Sequence, residues 1–159
     1  MRRFIPAACS LAAACLVVTA VRGADNKLPE EARNVLEKAG QWEVLSLDPV
    51  QPKEKPADGF HGYKVLGKTT VKGDVQKELV GALLKAMEGD IQPAKCFDPR
   101  HGIRATHEGK TVELVICFQC AQFNVYVGAD GEGKHLLIGQ GPEPALDKVL
   151  KDAGIPKAK

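Results

Sequence analysis

Between Ile103 and Val127 the chain carries an almost unbroken run of strand-forming residues, and no other feature constrains the fold as tightly. Ile103 to Thr106 and Thr111 to Val127 are rich in β-branched and aromatic side chains, with only His107-Glu108-Gly109-Lys110 between them. That linker is long enough for a hairpin turn and far short of the dozen or more residues a parallel crossover requires. Within the longer block, Leu114, Ile116 and Phe118 alternate in one phase, and Phe123, Val125 and Val127 in the other. A bulge or tight turn between Phe118 and Phe123 accounts for the slip. Gly128 to Gly133 reads as a further turn and His135 to Ile138 as a further strand. The second half of the chain is therefore expected to form an antiparallel sheet.

The flanking segments supply helices. Pro29-Glu30-Glu31 opens one, with proline in the first turn and acids facing the N-terminal dipole. Ala32, Val35, Leu36 and Ala39 make its apolar stripe, and Gly40 is placed to stop it. Gln41 to Leu47 reads as a strand with Trp42, Val44 and Ser46 on one face and Leu45 and Leu47 on the other. Residues 48–59 hold Pro49, Pro52 and Pro56 among charges, and are expected to be an extended surface loop. Tyr63, Val65, Thr69 and Val71 alternate as another strand. Asp74 is then expected to cap a helix whose Val75, Leu79, Val80, Leu83, Leu84 and Met87 share a face, closed by Gly89. Pro93 to Arg104 is expected to be a turn region. Pro142 to Ala153 reads as a last helix with Leu146, Val149 and Leu150 inward and Gly154 beyond its end. The resulting fold class is α+β: an antiparallel sheet with helices packed on one face, and a core including Trp42, Leu79, Leu83, Leu114, Ile116, Val125 and Leu146.

The N-terminal segment reads as a cleavable export signal over residues 1–23. Arg2 and Arg3 precede an uncharged stretch from Phe4 to Val21, and Val21 and Gly23 occupy the −3 and −1 positions of a cut before Ala24. The stretch is rich in Ala and broken by Pro6, a poor permanent anchor. Leu16-Val17-Val18 continue past Cys15, which disfavours a lipid anchor there. Residues 24–159 then form a single domain, exported to the periplasm or secreted. With Arg2, Arg3 and Arg22 removed, 19 basic side chains face 20 acidic ones, a net charge of −1. So balanced a domain carries no electrostatic footprint for nucleic acid, and no later stretch is apolar enough to span a membrane.

Three cysteines remain after the signal, and they lie in two polar stretches: Cys96-Phe97-Asp98-Pro99-Arg100-His101-Gly102 and Cys117-Phe118-Gln119-Cys120. This pairing, with Ser46-Leu47-Asp48-Pro49 before it, resembles an uncharacterised group of exported bacterial proteins that share a Cys-Phe-x-Pro-Arg-His-Gly stretch followed by Cys-Phe-x-Cys. The likeness spans most of the chain after the signal and implies no particular activity.

Three chemistries fit these residues. Cys96, His101, Cys117 and Cys120 make a Cys₃His set for a closed, structural zinc site. An exported location favours a disulfide instead. Cys117 and Cys120 can bond only if the chain turns between them, since a straight strand holds such residues about 10 Å apart on opposite faces; otherwise Cys96 crosslinks to one of them. Thiol chemistry, with Cys96 as nucleophile and His101 as base, lacks a visible activating group. A c-type haem is excluded because Ala121, not histidine, follows the second cysteine. All three chemistries bring Cys96 to the other two cysteines.

Arg100 and Arg104 flank His101 and have the donor geometry to hold a carboxylate or phosphate; the alternative is that Arg100 pairs with Asp98 or Asp74 to brace the turn. His61, His107 and His135 read as turn or strand-end residues, and Asp130-Gly131-Glu132-Gly133 as a turn too short for a calcium loop. The expectation is an exported, non-enzymatic binding or structural domain, with an unidentified protein or small ligand as partner. The alternative is an extracytoplasmic thiol- or metal-dependent enzyme using Cys96, His101 and the Cys117/Cys120 pair.

Overall fold

A computed structural model describes residues 26–54, 56–128 and 131–158. The proposed signal lies outside the described residues. In chain order the elements are helix α1 (Glu30–Lys38), strands β1 (Trp42–Leu47) and β2 (Val65–Val71), helix α2 (Gly73–Ala86), strands β3 (His101–His107), β4 (Lys110–Cys117), β5 (Gln122–Val127) and β6 (Lys134–Leu137), and helix α3 (Glu143–Asp152). The strands form one six-stranded sheet in the order β2-β1-β3-β4-β5-β6, with every neighbouring pair antiparallel. The α+β expectation is met. No helix among the described residues is long and apolar enough to cross a membrane.

Alternation along the strands gives the sheet two different faces. Trp42 and Val44 of β1, Ile103 of β3, Leu114 and Ile116 of β4, and Val125 of β5 are buried against Ala32, Leu36, Leu79, Leu83, Leu146 and Leu150 of the three helices. All seven residues expected in the core are buried here. The other face carries a smaller cluster of Leu45, Leu47, Phe60, Tyr63 and Val115, with Phe97 and Tyr126 packed against it. Each fully buried aliphatic side chain contributes on the order of 1.5–3 kcal/mol, so most of the apolar stabilisation belongs to the helix-covered face.

Several local expectations are corrected. Helix α1 ends because Ala39 turns extended (φ −56°, ψ 136°); Gly40 is not in the left-handed region and does not form the stop. The carbonyls left open at that end are taken by side chains: the Trp42 indole donates to Leu36 O at 3.1 Å and the Gln76 amide to Ala39 O at 2.7 Å. Asp74 lies inside the first turn of α2 and makes no capping bond; Lys72, in extended backbone, precedes the helix. The inward face of α2 is Gln76, Leu79 and Leu83, and Val75 is exposed. Strand β3 begins at His101, two residues earlier than the strand expected from Ile103.

The segment after Asp48 has a double character. Val50 to Glu54 are exposed, but the chain then folds back over the second face. Phe60 and Tyr63 exchange backbone hydrogen bonds at 2.9 and 3.0 Å around His61 (φ 50°) and Gly62 (φ 87°). Two successive positive φ angles are the mark of a type I′ turn. Phe60 settles directly on β3, where a Cβ on Gly102 would come within 2.9 Å of its ring. Any side chain at 102 would displace that lid.

Candidate functional site

Strands β4 and β5 are joined by a turn, Phe118 to Ala121, that accounts for the phase slip in the sequence. Cys117 pairs with Gln122 as the last rung, Ala121 N–H donates to Phe118 O at 3.1 Å, and Ala121 itself is left-handed at φ 54°. The turn brings the Cα atoms of Cys117 and Cys120 to 5.3 Å, and the two form a disulfide. Both are buried.

The segment before β3 is fastened to this turn. Ala94 N–H donates to Cys120 O at 3.0 Å, and the Gln122 side-chain amide bonds Ala94 O and reaches Cys96 O at 3.5 Å. These bonds set the exposed Cys96 thiol 3.0 Å from Cys120 Sγ. Backbone N–H groups point at the sulfurs as well: Asp98 N–H at Cys120 Sγ (3.4 Å) and Cys120 N–H at Cys117 Sγ (3.2 Å). The three cysteines therefore meet, as every reading of the sequence required. Cys96, Asp98 and Cys120 place their donor atoms within 4.8 Å of one another, a group able to hold a metal ion. Its acidic member was missed in the sequence, although Asp98 stands in the same motif two residues after Cys96.

His101 does not join the sulfurs. In β3 it lies opposite Ile116 and Ser46, so its ring projects to the helix-covered side, whereas Cys117 shares the opposite side with Val115. Its Nε2 lies 2.8 Å from Asp147 Oδ1 of α3, and its ring packs edge-on against Phe118. Burial pushes the imidazole below its ordinary pKa, against the upward pull of Asp147. Burial also pushes the Asp147 carboxyl up, but Lys157 and His101 outweigh it, so that carboxyl is held below its ordinary value. A neutral ring donating its Nε2–H to an ionised Asp147 satisfies both shifts. The end of the chain covers this pair: Ser46 Oγ donates to Pro156 O at 2.6 Å, and Lys157 Nζ bridges Glu143 and Asp147 at 2.7 Å each. The Cys₃His ligand set is thus replaced by cysteines and Asp98 on one side of the sheet and a His101–Asp147 pair on the other.

The arginines also take separate places. Arg100 donates to Gln119 Oε1 at 2.9 Å and to Asp98 O at 3.3 Å, which braces the cysteine-bearing segments. Arg104, on the face away from the helices, donates to Glu113 Oε1 at 2.5 Å and Glu43 Oε2 at 3.1 Å, with its guanidinium carbon 5.3 Å from the Phe60 ring centre. It borders a cleft of about 490 Å³ with Phe60 and Lys68, and its Nε and Nη1 are engaged by two carboxylates. The carboxylates belong to a larger network that the sequence did not suggest. His61 Nε2 lies 2.7 Å from Glu113, its ring stacks on Tyr126 at 3.6 Å, and Lys68 bonds Glu43 at 2.7 Å. Glu113 is held below the ordinary carboxylate range by His61 first, with Arg104 also lowering it against the effect of burial. Its members come from strands β1 to β5 and from the Phe60–Tyr63 turn, so the sheet register and that turn together unite them.

Comparison with protein-family models, with curated proteins and with solved structures gave no match, so the site is defined by its own geometry. That geometry is of an α+β protein with a disulfide-closed turn, a third cysteine against the disulfide, and a cysteine–aspartate donor group able to hold a metal ion.

Proposed function

We propose that the protein is an exported binding or structural domain, not an enzyme, whose cysteine cluster fastens the segment before β3 to the β4–β5 turn. One observation carries this reading: the bonded cysteines are buried and the polar groups around them are mutually engaged. Cys120 alone takes part in the disulfide, a backbone bond through its carbonyl and another through its N–H. A catalytic cysteine site needs an open cleft with an activating base beside the nucleophile. Here His101 is occupied by Asp147 across the sheet, and no cysteine among the described residues lines the cleft beside Arg104. The sequence pattern of residues 1–23 and the resemblance to exported proteins support placement outside the cytoplasm, in the periplasm or secreted. The partner there is a protein or small ligand, not nucleic acid.

A second reading has its own support in the donor group of Cys96, Asp98 and Cys120. With the disulfide reduced, these donors and Cys117 suit a structural zinc ion. Cys120 cannot serve both states, so the readings exclude one another in any one molecule. Intact mass of the protein recovered from an exporting host, native and denatured, with and without alkylation, separates them. The expected result is a chain beginning at Ala24 or within a residue or two, one disulfide, one alkylated thiol and no metal. Retention of Met1 or a lipid on Cys15 overturns export; a bound ion, with all three cysteines alkylated after denaturation, gives the cluster to zinc.

A further inference from the structure

We infer that Cys96, Cys117 and Cys120 form a thiol–disulfide exchange centre with two interchangeable pairings, in which exposed Cys96 is the point of entry for an external disulfide. Cys120 is the shared sulfur. It is bonded to Cys117 within the turn, and the Cys96 thiol already stands 3.0 Å away. Exchange proceeds by attack of a thiolate on a disulfide sulfur. Cys96 first loses its proton to solvent, and its electron pair then attacks Cys120 Sγ. The Cys96–Cys120 bond forms as the Cys117–Cys120 bond breaks. The bonding pair leaves on Cys117 Sγ, which takes a proton from solvent. There is one disulfide and one thiol before the step and after it, so no oxidant or reductant is consumed.

The surroundings favour this step. The Cys120 N–H points at Cys117 Sγ from 3.2 Å, where the negative charge arrives, and a hydrogen bond to the charged form helps that thiolate leave. The nucleophile need not search for its target. The bonds from Ala94 and Gln122 hold its segment against the turn, which gives the reaction the advantage of an intramolecular encounter. The two pairings differ in what solvent meets. With Cys117 and Cys120 bonded, the remaining thiol is exposed; with Cys96 and Cys120 bonded, the remaining thiol is the buried Cys117. The exchange therefore hides or presents a reactive thiol without changing the oxidation state of the protein.

External chemistry follows from the same exposure. When Cys120 is reduced, Cys96 attacks a small disulfide RS–SR, forms the mixed disulfide Cys96–SR and releases RSH. Cys120 then attacks Cys96 Sγ, closes the Cys96–Cys120 bond and releases the second RSH. The two electrons that reduce RS–SR come from the two cysteines.

Two experiments test the centre. In the first, purified protein is held at pH 8 without oxygen or added thiol, quenched in acid, alkylated and mapped by peptide, so that Cys96, Cys117 and Cys120 are each read separately. Label divided between Cys96 and Cys117, in different molecules, is the expected result. Label confined to Cys96 after prolonged incubation, with Cys117–Cys120 intact, overturns the exchange. In the second, the Cys117→Ser and Cys120→Ser proteins are reduced, freed of reductant and given oxidised glutathione. Cys117→Ser should close Cys96–Cys120 and lose any glutathione adduct at least ~10-fold faster than Cys120→Ser, which has no resolving thiol in place. Equal persistence of the adduct in both variants overturns it. The inference rests on the Cys117–Cys120 bond that the proposed function also uses, yet the two fail differently. Three free thiols in the denatured, air-exposed protein refute both, whereas an intact bond that never migrates refutes exchange alone.

Discussion

The two faces of the sheet are held by different means. On the helix-covered face, Trp42, Val44, Ile103, Leu114, Ile116 and Val125 meet side chains from three helices in a continuous apolar layer. The opposite face has five buried apolar residues, and beyond them relies on specific links: the I′ turn that lays Phe60 on Gly102, the network around Arg104 and Glu113, and the disulfide that closes the β4–β5 turn. Area stabilises the first face, and neither pH nor a reductant removes area. Individual bonds stabilise the second, and mild chemistry can open them one at a time.

Leu83→Ala probes the thick face with the largest expected effect. Leu83 is buried in α2 against the sheet, and the truncation should cost about 2–5 kcal/mol in chemical denaturation, unchanged by reductant. A loss below about 0.5 kcal/mol would mean that this face is not the main source of stability. Replacing both Cys117 and Cys120 by serine probes the thin face. The loop closed is short, so the chain-entropy estimate is about 2 kcal/mol, and adding reductant to the parent protein should reproduce most of that loss. If reductant leaves the parent unaffected, the disulfide is not a stabilising link.

The buried His101 blurs the comparison, because it puts a pH-sensitive group at the edge of the thick face. Its folded pKa lies below the ordinary value of about 6.5, so the unfolded chain binds a proton that the folded chain refuses. Stability should therefore be fully present above pH 6.5 and fall below it by up to about 1.4 kcal/mol per pH unit, until the folded pKa is reached. His101→Gln should flatten the pH 5–7 portion of the stability profile. A slope that survives the substitution assigns the effect to another group. The smallest effect is expected at Ala121, a non-glycine residue at φ 54°. Ala121→Gly should stabilise by about 0.5 kcal/mol, the relief of left-handed strain being partly offset by a more flexible unfolded chain. A loss of stability would show that the methyl group contributes contacts worth more than the strain.

What the sequence disclosed follows the same division. The helix-covered face was legible because it depends on period: Trp42 and Val44 against Leu45 and Leu47, the Glu108-Gly109 hairpin, and the slip between Phe118 and Phe123 are all patterns of neighbouring residues. The meeting of the three cysteines was legible too, through the hairpin that returns β4 alongside β3. His101 was misplaced because proximity in the chain is no guide to the side of a sheet. One step of alternation sends it toward Asp147, far along the sequence in α3, while Cys117 shares the opposite face with Val115. The Arg104 network was equally hidden. Glu43, Lys68 and Glu113 become neighbours only once β1, β2, β3 and β4 are in register, His61 joins them only through the Phe60–Tyr63 turn, and charges on half-exposed strands look alike before that. The stop expected at Gly40 failed because tertiary partners, Trp42 and Gln76, satisfied the end of α1 in place of a local turn, and the cap expected at Asp74 failed because α2 starts at Gly73, one residue before it.

The central claim is that Cys120 is both oxidised and in contact with Cys96. Nuclear magnetic resonance of the uniformly labelled protein, without reductant, tests it directly, since cysteine ¹³Cβ shifts report oxidation state and proton–proton Overhauser effects report proximity. The account predicts a Cys120 Cβ in the oxidised range, cross-peaks between the β-protons of Cys96 and Cys120, and loss of the oxidised shift on adding reductant. A Cys120 in the reduced range under non-reducing conditions, or an oxidised Cys120 with no contact to Cys96, would contradict it.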